Sequence, residues 1–354
     1  MPRKSRQNPA IRDFILHNVA NHPADIVALT SEKFGISRSA LAGYMAKLVA
    51  EGLLEASGNT RARRYESKPI SSGSYKIDLS PGLPEHHVFR FRILPLMKDV
   101  PKNVVDICQY GFTEMLNNAI DHSQSPDAVI SYEQTPVAIK MWVIDHGVGI
   151  FAKIQKDFGL ADPRSALLEL SKGKLTSDRA NHAGEGIFFT SRMFDDFQIH
   201  SGHLIYNREH LEDDDWLIET KDVANDVKGT AIVMTISPAA KRTTAEVFEK
   251  VQGEDISFRK THVPVSLGRY PGEQLVSRSQ AKRILARFDQ FSEVMLDFDG
   301  VPQIGQAFAD EIFRVFAGSH PGTRVVPIRA NEAVRKMIDY VKNAPPPATP
   351  PAKP

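Results

Sequence analysis

The sequence predicts an α+β chain of several domains, and three observations lead there. At 354 residues it exceeds what one ordinary core holds. Helical apolar spacing fills the first fifty residues, whereas alternating strands and helices fill most of the rest. Two loop compositions, Ser71-Ser72-Gly73-Ser74 and Pro81-Gly82-Leu83-Pro84, mark a boundary between these styles.

Composition narrows the class. The apolar fraction of 42% and the charged fraction of 25% are those of a soluble globular protein. Net charge is +1, from 44 basic and 43 acidic residues, so no whole-chain field points to nucleic acid. The charge is uneven: residues 1–70 carry 11 Lys/Arg against 6 Asp/Glu, which predicts a basic patch at that end. The single Cys108 excludes an intramolecular disulfide and a cysteine metal cluster, and is expected to be a buried small hydrophobe. There is no signal-like segment, long apolar run or lipidation motif, so the expected address is the cytoplasm, without membrane association.

Residues 9–20 read as a first helix, with Ile11, Phe14, Ile15 and Val19 at helical spacing. Residues 24–34 read as a second, burying Ile26, Val27, Leu29 and Phe34. Gly35-Ile36-Ser37 turns the corner, and Ser37 caps a third helix over 38–50 whose Leu41, Met45 and Leu48 face inward. Residues 53–56 and 63–66 flank Ser57-Gly58-Asn59-Thr60, a hairpin-turn composition. This order matches a winged helix-turn-helix over residues 1–70. In that fold the third helix enters the major groove and the hairpin touches the backbone. The expected DNA-facing residues are Arg38, Ser39, Tyr44 and Lys47 on the helix and Arg61, Arg63 and Arg64 on or beside the wing. Winged helices also dock proteins.

Residues 75–240 hold three short motifs: Glu114-Met115-Leu116-Asn117-Asn118-Ala119-Ile120-Asp121, Asp145-His146-Gly147-Val148-Gly149-Ile150, and Gly184-Glu185-Gly186-Ile187. Gly229-Thr230 closes the set. Glu114 and Asn118 are four apart on a helical pattern and project from one face, with Asn117 and Asp121 beside them. A carboxylate there deprotonates a water or hydroxyl attacking a γ-phosphate. A neutral carboxamide oxygen suits magnesium without repelling the triphosphate. Asp145 follows the apolar strand 140–144; as an acceptor it takes an adenine amino group and rejects guanine. Gly147 and Gly149 let the backbone take positive φ and approach the base. Gly184 and Gly186 lead into a helix N-terminus that suits phosphate. The hydroxyl of Thr230, before the strand 231–236, reaches the adenine edge through water. Residues 150–183, with Lys153, Lys156, Lys172, Lys174 and Arg179, read as a mobile lid or equally as a solvated loop. Singly, each motif has a plain reading as a polar helix face, an empty glycine turn or a good strand former.

Together the ordering resembles the GHKL (Bergerat-fold) superfamily of gyrase, heat-shock chaperone, histidine kinase and MutL ATPases. The resemblance implies an α/β sandwich domain that binds ATP and Mg2+. It implies Glu114 as general base, Asn118 as magnesium ligand and Asp145 as adenine reader, with Gly147, Gly149, Gly184 and Gly186 as nucleotide-box glycines. His146 stands where Asn is commoner, and the phosphate loop is short of glycine, which implies a different phosphate grip. His182, just before that loop, is read as a loop histidine.

Residues 255–344 alternate as helix 277–288, strand 294–298, helix 306–316, strand 323–329 and helix 331–342, a small α/β layer. The run from Leu296 through Asp297, Asp299, Gly300 and Phe308 to Glu311 resembles a STAS-type domain, specifically a STAS-like group of unknown function. That implies a protein partner. In partner-switching antagonists of this type a serine at the start of the next helix is phosphorylated. Ile304-Gly305-Gln306-Ala307-Phe308 holds no Ser or Thr, so that modification is not expected here. Asp297, Asp299, Asp310 and Glu311 are expected to stabilise a loop and a helix start. The proline-rich residues 345–354 are expected to be extended and disordered.

One reading unites these parts: a DNA-binding transcriptional regulator with a Mg–ATP-dependent switch and slow hydrolysis. The alternative is a GHKL-type serine or histidine kinase acting on a partner protein. Against histidine autophosphorylation, no helical hairpin with a phosphoacceptor precedes the ATP motifs. A gyrase- or MutL-like ATPase lacks its transducer, nuclease or cleavage tyrosine here. A homodimer stays open.

Overall fold

The computed structural model describes residues 8–59, 62–173, 185–209, 214–219, 227–252, 260–269 and 273–343. Thr60, Arg61, Lys174, Arg179, His182, Gly184 and residues 345–354 lie outside the described residues. In chain order the elements are α1 (Pro9–Asn18), α2 (Ile26–Phe34), α3 (Arg38–Ala50), β1 (Leu54–Ser57), β2 (Arg64–Ser67) and β3 (Ser71–Asp78). Then come α4 (Glu85–Val88), α5 (Lys102–His122), β4 (Asp127–Gln134), β5 (Ile139–Asp145), α6 (Ile150–Phe158), α7 (Arg164–Lys172) and α8 (Gly186–Met193). They are followed by β6 (Asp196–Gly202), β7 (Leu204–Glu209), β8 (Asp214–Glu219), β9 (Val227–Ile236), α9 (Thr244–Gln252) and β10 (Lys260–Pro264). The chain continues through α10 (Arg278–Leu285), β11 (Glu293–Asp297), α11 (Gln306–Asp310), α12 (Ala317–Ser319), β12 (Arg324–Ile328) and α13 (Glu332–Asn343). Among the described residues the sheets order as β1-β2, β10-β11-β12 and β3-β4-β5-β9-β6-β7-β8. Two compact units emerge: Met1–Gly147 with Phe194–Phe197 and Ala231–Thr243, and Val148–Met193 with Gln198–Thr230 and Thr244–Pro354.

In the first unit, α1 to α3 close on Ile11, Ile15, Leu16, Val19, Ile26, Leu41, Met45, Leu48 and Leu54, with Val27, Leu29 and Phe34 at the cluster's edge. The Ser37 side chain accepts from the Ala40 amide at 3.2 Å and so caps α3 as its position predicts. Gly35 ends α2 at φ 62, the left-handed conformation glycine adopts without penalty. β1 and β2 pair antiparallel, Leu54 opposite Ser67. Val137, in the β4–β5 turn, packs on the same cluster, so this helical module is seated on the sheet.

Ser71–Ser74 is not a loop, as its composition predicts, but the first half of β3. The strand lies at the edge of the seven-stranded sheet, where alternate residues face water and small polar side chains suit it. The Ser74 and Ser131 hydroxyls pair at 2.8 Å across the β3–β4 ladder.

α5 buries Val104, Ile107, Cys108, Gly111, Phe112, Met115, Leu116 and Ala119, steps of three and four that define one apolar face. Cys108 is buried there as expected, and burial pushes its thiol pKa up, away from reactivity. α5 packs against β5, whose Ile139, Met141 and Val143 alternate inward.

In the second unit, the small α/β layer that the alternation after residue 255 predicts has a parallel sheet of β10, β11 and β12, β10 being a strand the alternation does not show; Asp297 is registered with Pro264 on one side and Ile328 on the other. Residues 150–172 fit neither the lid nor the solvated loop. They fold into α6 and α7, and α7 is buried on all sides from Ala166 to Lys172. Lys153 pairs with Asp157 at 3.0 Å, and Lys172 is fully buried. Charge content alone points to exposure, because it does not reveal that the Glu169 carboxylate lies 2.7 Å from the buried ammonium.

Candidate functional site

Glu114 and Asn118 sit one turn apart on α5, both half-buried, at the margin of its apolar face. The face is set by Met115 and Ala119, so helical geometry alone fixes where the two polar groups emerge. The Asn118 Nδ2 atom is buried and has no hydrogen-bond partner among the described residues. A buried amide nitrogen without a partner costs desolvation free energy that a folded protein normally avoids. Flipping the amide exchanges its nitrogen and oxygen, so the same position can offer an oxygen to a cation. In that flipped orientation the side chain would be the one to hold a magnesium ion.

Asp145 continues the inward alternation of β5 as its last residue and is buried. A carboxylate in the phase of Met141 and Val143 is out of place in a purely structural strand. One carboxylate oxygen accepts the Gly147 amide at 2.9 Å, which shapes the turn that follows. That turn is fastened to the end of α5. The His146 amide donates to the Ser125 hydroxyl at 3.3 Å. A side chain on Gly147 would place its Cβ 1.9 Å from the Ser123 carbonyl oxygen.

The two glycines therefore do different work. Gly149 takes φ 79, as expected. Gly147 is absent from the positive-φ positions, and its requirement is steric closeness to Ser123 rather than backbone handedness. In the second unit Gly149 precedes α6, and a Cβ there would lie 2.7 Å from the Ser201 hydroxyl. Thr230 is buried, and its hydroxyl accepts the Ile150 amide at 3.0 Å, so it caps the start of α6 while keeping its own proton to donate. Gly186 begins α8, as the third motif predicts; Gly184 lies outside the described residues.

On the N-terminal module, Arg38, Ser39, Lys47, Arg63 and Arg64 are exposed. Ser39 pairs with the Ser37 hydroxyl at 2.9 Å, and Lys47 lies 3.9 Å from Glu51. Arg63 stands over the Tyr65 ring, 5.5 Å from its centre. Tyr44 does not face outward. Its ring packs on the module's core and its hydroxyl accepts the Asn8 amide at 2.9 Å, because α1 supplies an unsatisfied N-terminal donor there.

The sequence reading missed two clusters in the second unit. At the strand ends of the parallel layer, His262 donates from Nε2 to Asp297 at 2.6 Å, and Arg329 makes a forked contact with the same carboxylate. Burial would raise the Asp297 pKa; the hydrogen bonds from His262, Arg329 and the Asp299 amide reverse that and hold it at about 2. Around Glu169, Lys172 Nζ approaches one oxygen at 2.7 Å and Arg287 Nη1 the other at 2.9 Å. Burial pulls the Lys172 ammonium down to about 8, against the opposing attraction of Glu169. No spacing rule finds the first cluster, since His262, Asp297 and Arg329 are each more than thirty residues apart in sequence; in the second, only Glu169 and Lys172 have helical spacing, and Arg287 is distant.

No group of three or more His, Cys, Asp or Glu arranged to hold a metal occurs among the described residues, and no described helix is long and apolar enough to cross a membrane. No curated protein and no solved structure matches the chain. A family model does: residues 280–335, spanning α10 to the start of α13, match the STAS-like domain of unknown function (DUF4325).

Proposed function

We propose that the protein binds Mg–ATP through α5 and the β5–α6 loop and acts as a nucleotide-switched regulator that engages DNA with its N-terminal helices. The observation that carries this reading is the fastening of the Asp145–Gly147 turn to the segment that ends α5, the helix whose Asn118 Nδ2 atom is buried without a partner among the described residues. That arrangement is what the GHKL resemblance requires of its first two motifs. In this reading Glu114 accepts a proton from the attacking nucleophile, Asn118 offers its carboxamide oxygen to magnesium, and Asp145 accepts from the adenine amino group. Arg38, Lys47, Arg63 and Arg64 are exposed cations suited to phosphate, on a module built of three helices and a hairpin.

Glu114 is half-buried rather than sealed, and a kinase acting on a partner is the second reading. The fate of the γ-phosphate separates the two. Wild-type protein with γ-labelled ATP should release inorganic phosphate slowly, and Glu114→Ala should bind ATP while turnover falls about 100-fold or more. Label held stably on a co-purified protein would move the assignment to the kinase. Absence of saturable ATP binding in calorimetry would remove both.

A further inference from the structure

α7 ends in a network that belongs to no motif. Glu169 is 4% exposed at its side chain, Lys172 is fully buried and Arg287 is 14% exposed. Lys172 Nζ also donates to the Ala286 carbonyl at 2.8 Å, and Arg287 Nη2 donates to the Gly173 carbonyl at 3.0 Å. The Thr261 hydroxyl of β10 donates to the Lys172 carbonyl at 2.7 Å. The Arg287 guanidinium also stands 5.8 Å from the centre of the Phe158 ring, the last residue of α6. One cluster thus grips the end of α6, the end of α7, β10 and the segment between α10 and β11. The last of these lies inside the matched STAS-like residues.

Such a cluster is a poor way to gain stability. Dehydrating three charges offsets most of their attraction, and what a buried ionic network supplies instead is one defined geometry. Arg287 moreover holds φ 64, a left-handed backbone that a non-glycine residue adopts only when its surroundings enforce it. At its other end, α6 starts at Gly149 and is capped by Thr230. A continuous path therefore runs from the Gly149 turn through α6 and α7 into the STAS-like layer.

We propose that the Glu169–Lys172–Arg287 network is the coupling element through which occupancy at the Gly149 turn is communicated to the STAS-like layer, and through which a change in that layer acts back on the turn. Reciprocity follows from linkage: two sites that bias one element bias each other equally. The proposal takes the identity of the ligand from the nucleotide reading; the coupling itself stands on the geometry of α6, α7 and the network.

Amide hydrogen exchange on the full-length protein tests it in two arms. In the first, Thr230→Val removes the acceptor for the Ile150 amide, and exchange over residues 286–297 should rise about threefold or more. The same substitution in an Arg287→Gly background should leave those residues unchanged. Glycine accepts the φ at 287 and leaves Glu169 paired with Lys172, so this variant should stay folded where Lys172→Met fails; Arg287→Lys should restore part of the response. In the second arm, Mg–ATP should slow exchange over 286–297 in the wild type but not in Arg287→Gly, with ATP affinity altered by less than about threefold. Equal transmission with and without the Arg287 guanidinium in the first arm overturns the proposal. Loss of ATP binding in the wild type overturns the nucleotide reading alone, and the first arm then decides the coupling.

Discussion

Gly147 and Gly149 stand two residues apart, yet substitution should harm the protein by different routes. A Cβ at Gly147 meets backbone, the Ser123 carbonyl, which cannot retreat without unwinding the end of α5. A Cβ at Gly149 meets the Ser201 hydroxyl, the tip of a small side chain, but forces a left-handed alanine. Gly147→Ala should therefore lower the thermal midpoint more than Gly149→Ala, whereas both should weaken nucleotide binding. Melting curves of the two variants with and without Mg–ATP check this. Asp297 gives a second prediction at this scale. The unfolded chain takes up its proton near the ordinary value of 3.8, while the folded protein resists to about 2. The stability it contributes is thus complete above pH 4 and lost as pH falls through 2, roughly 2 kcal/mol in all. Acid titration of the melting temperature should show that loss in the wild type and a flatter profile in Asp297→Asn.

At the scale of elements, α3 shows capping and burial acting together. Ser37 satisfies the Ala40 amide, and Leu41, Met45 and Leu48 hold the helix to its core. Ser37→Ala should cost about 1 kcal/mol. Leu41→Ala, fully buried, should cost about 2–5 kcal/mol. Urea midpoints of the two variants check the ranking. α5 is the other element on which much depends. Its eight buried residues fix its rotation, and that rotation alone decides that Glu114 and Asn118 emerge together. β3 shows where composition misleads, because serine and glycine mark loops in most contexts and an edge strand in this one.

At the scale of the molecule, the exposed cations of the N-terminal module should act as a set. Replacing Arg38, Lys47, Arg63 and Arg64 with alanine should weaken duplex binding and flatten its salt dependence, each lost phosphate contact removing about 0.9 from the slope. Tyr44→Phe should leave that slope unchanged and destabilise the module, since its hydroxyl serves the Asn8 amide. Anisotropy titrations with a DNA duplex at two salt concentrations distinguish the cases.

Part of the helices and strands was legible in the sequence: α1 to α3 with the Ser37 cap, β5 running into Asp145, and the helix–strand alternation of residues 277–342, whereas β3, β4, β6, β7, β8, α6 and α7 were not. The legible ones are local patterns, set by apolar periodicity and by turn residues that act over a few positions. Tertiary structure alone decided what long-range contacts govern. It turned Tyr44 inward, made an edge strand of Ser71–Ser74, and gave Gly147 a steric reason that its φ does not supply. It also buried Lys172 against Glu169 and Arg287, and joined His262, Asp297 and Arg329 at the ends of neighbouring strands. The physical reason is common to all of these. A charge or small polar residue reads as exposed until a partner distant in the chain removes its need for water.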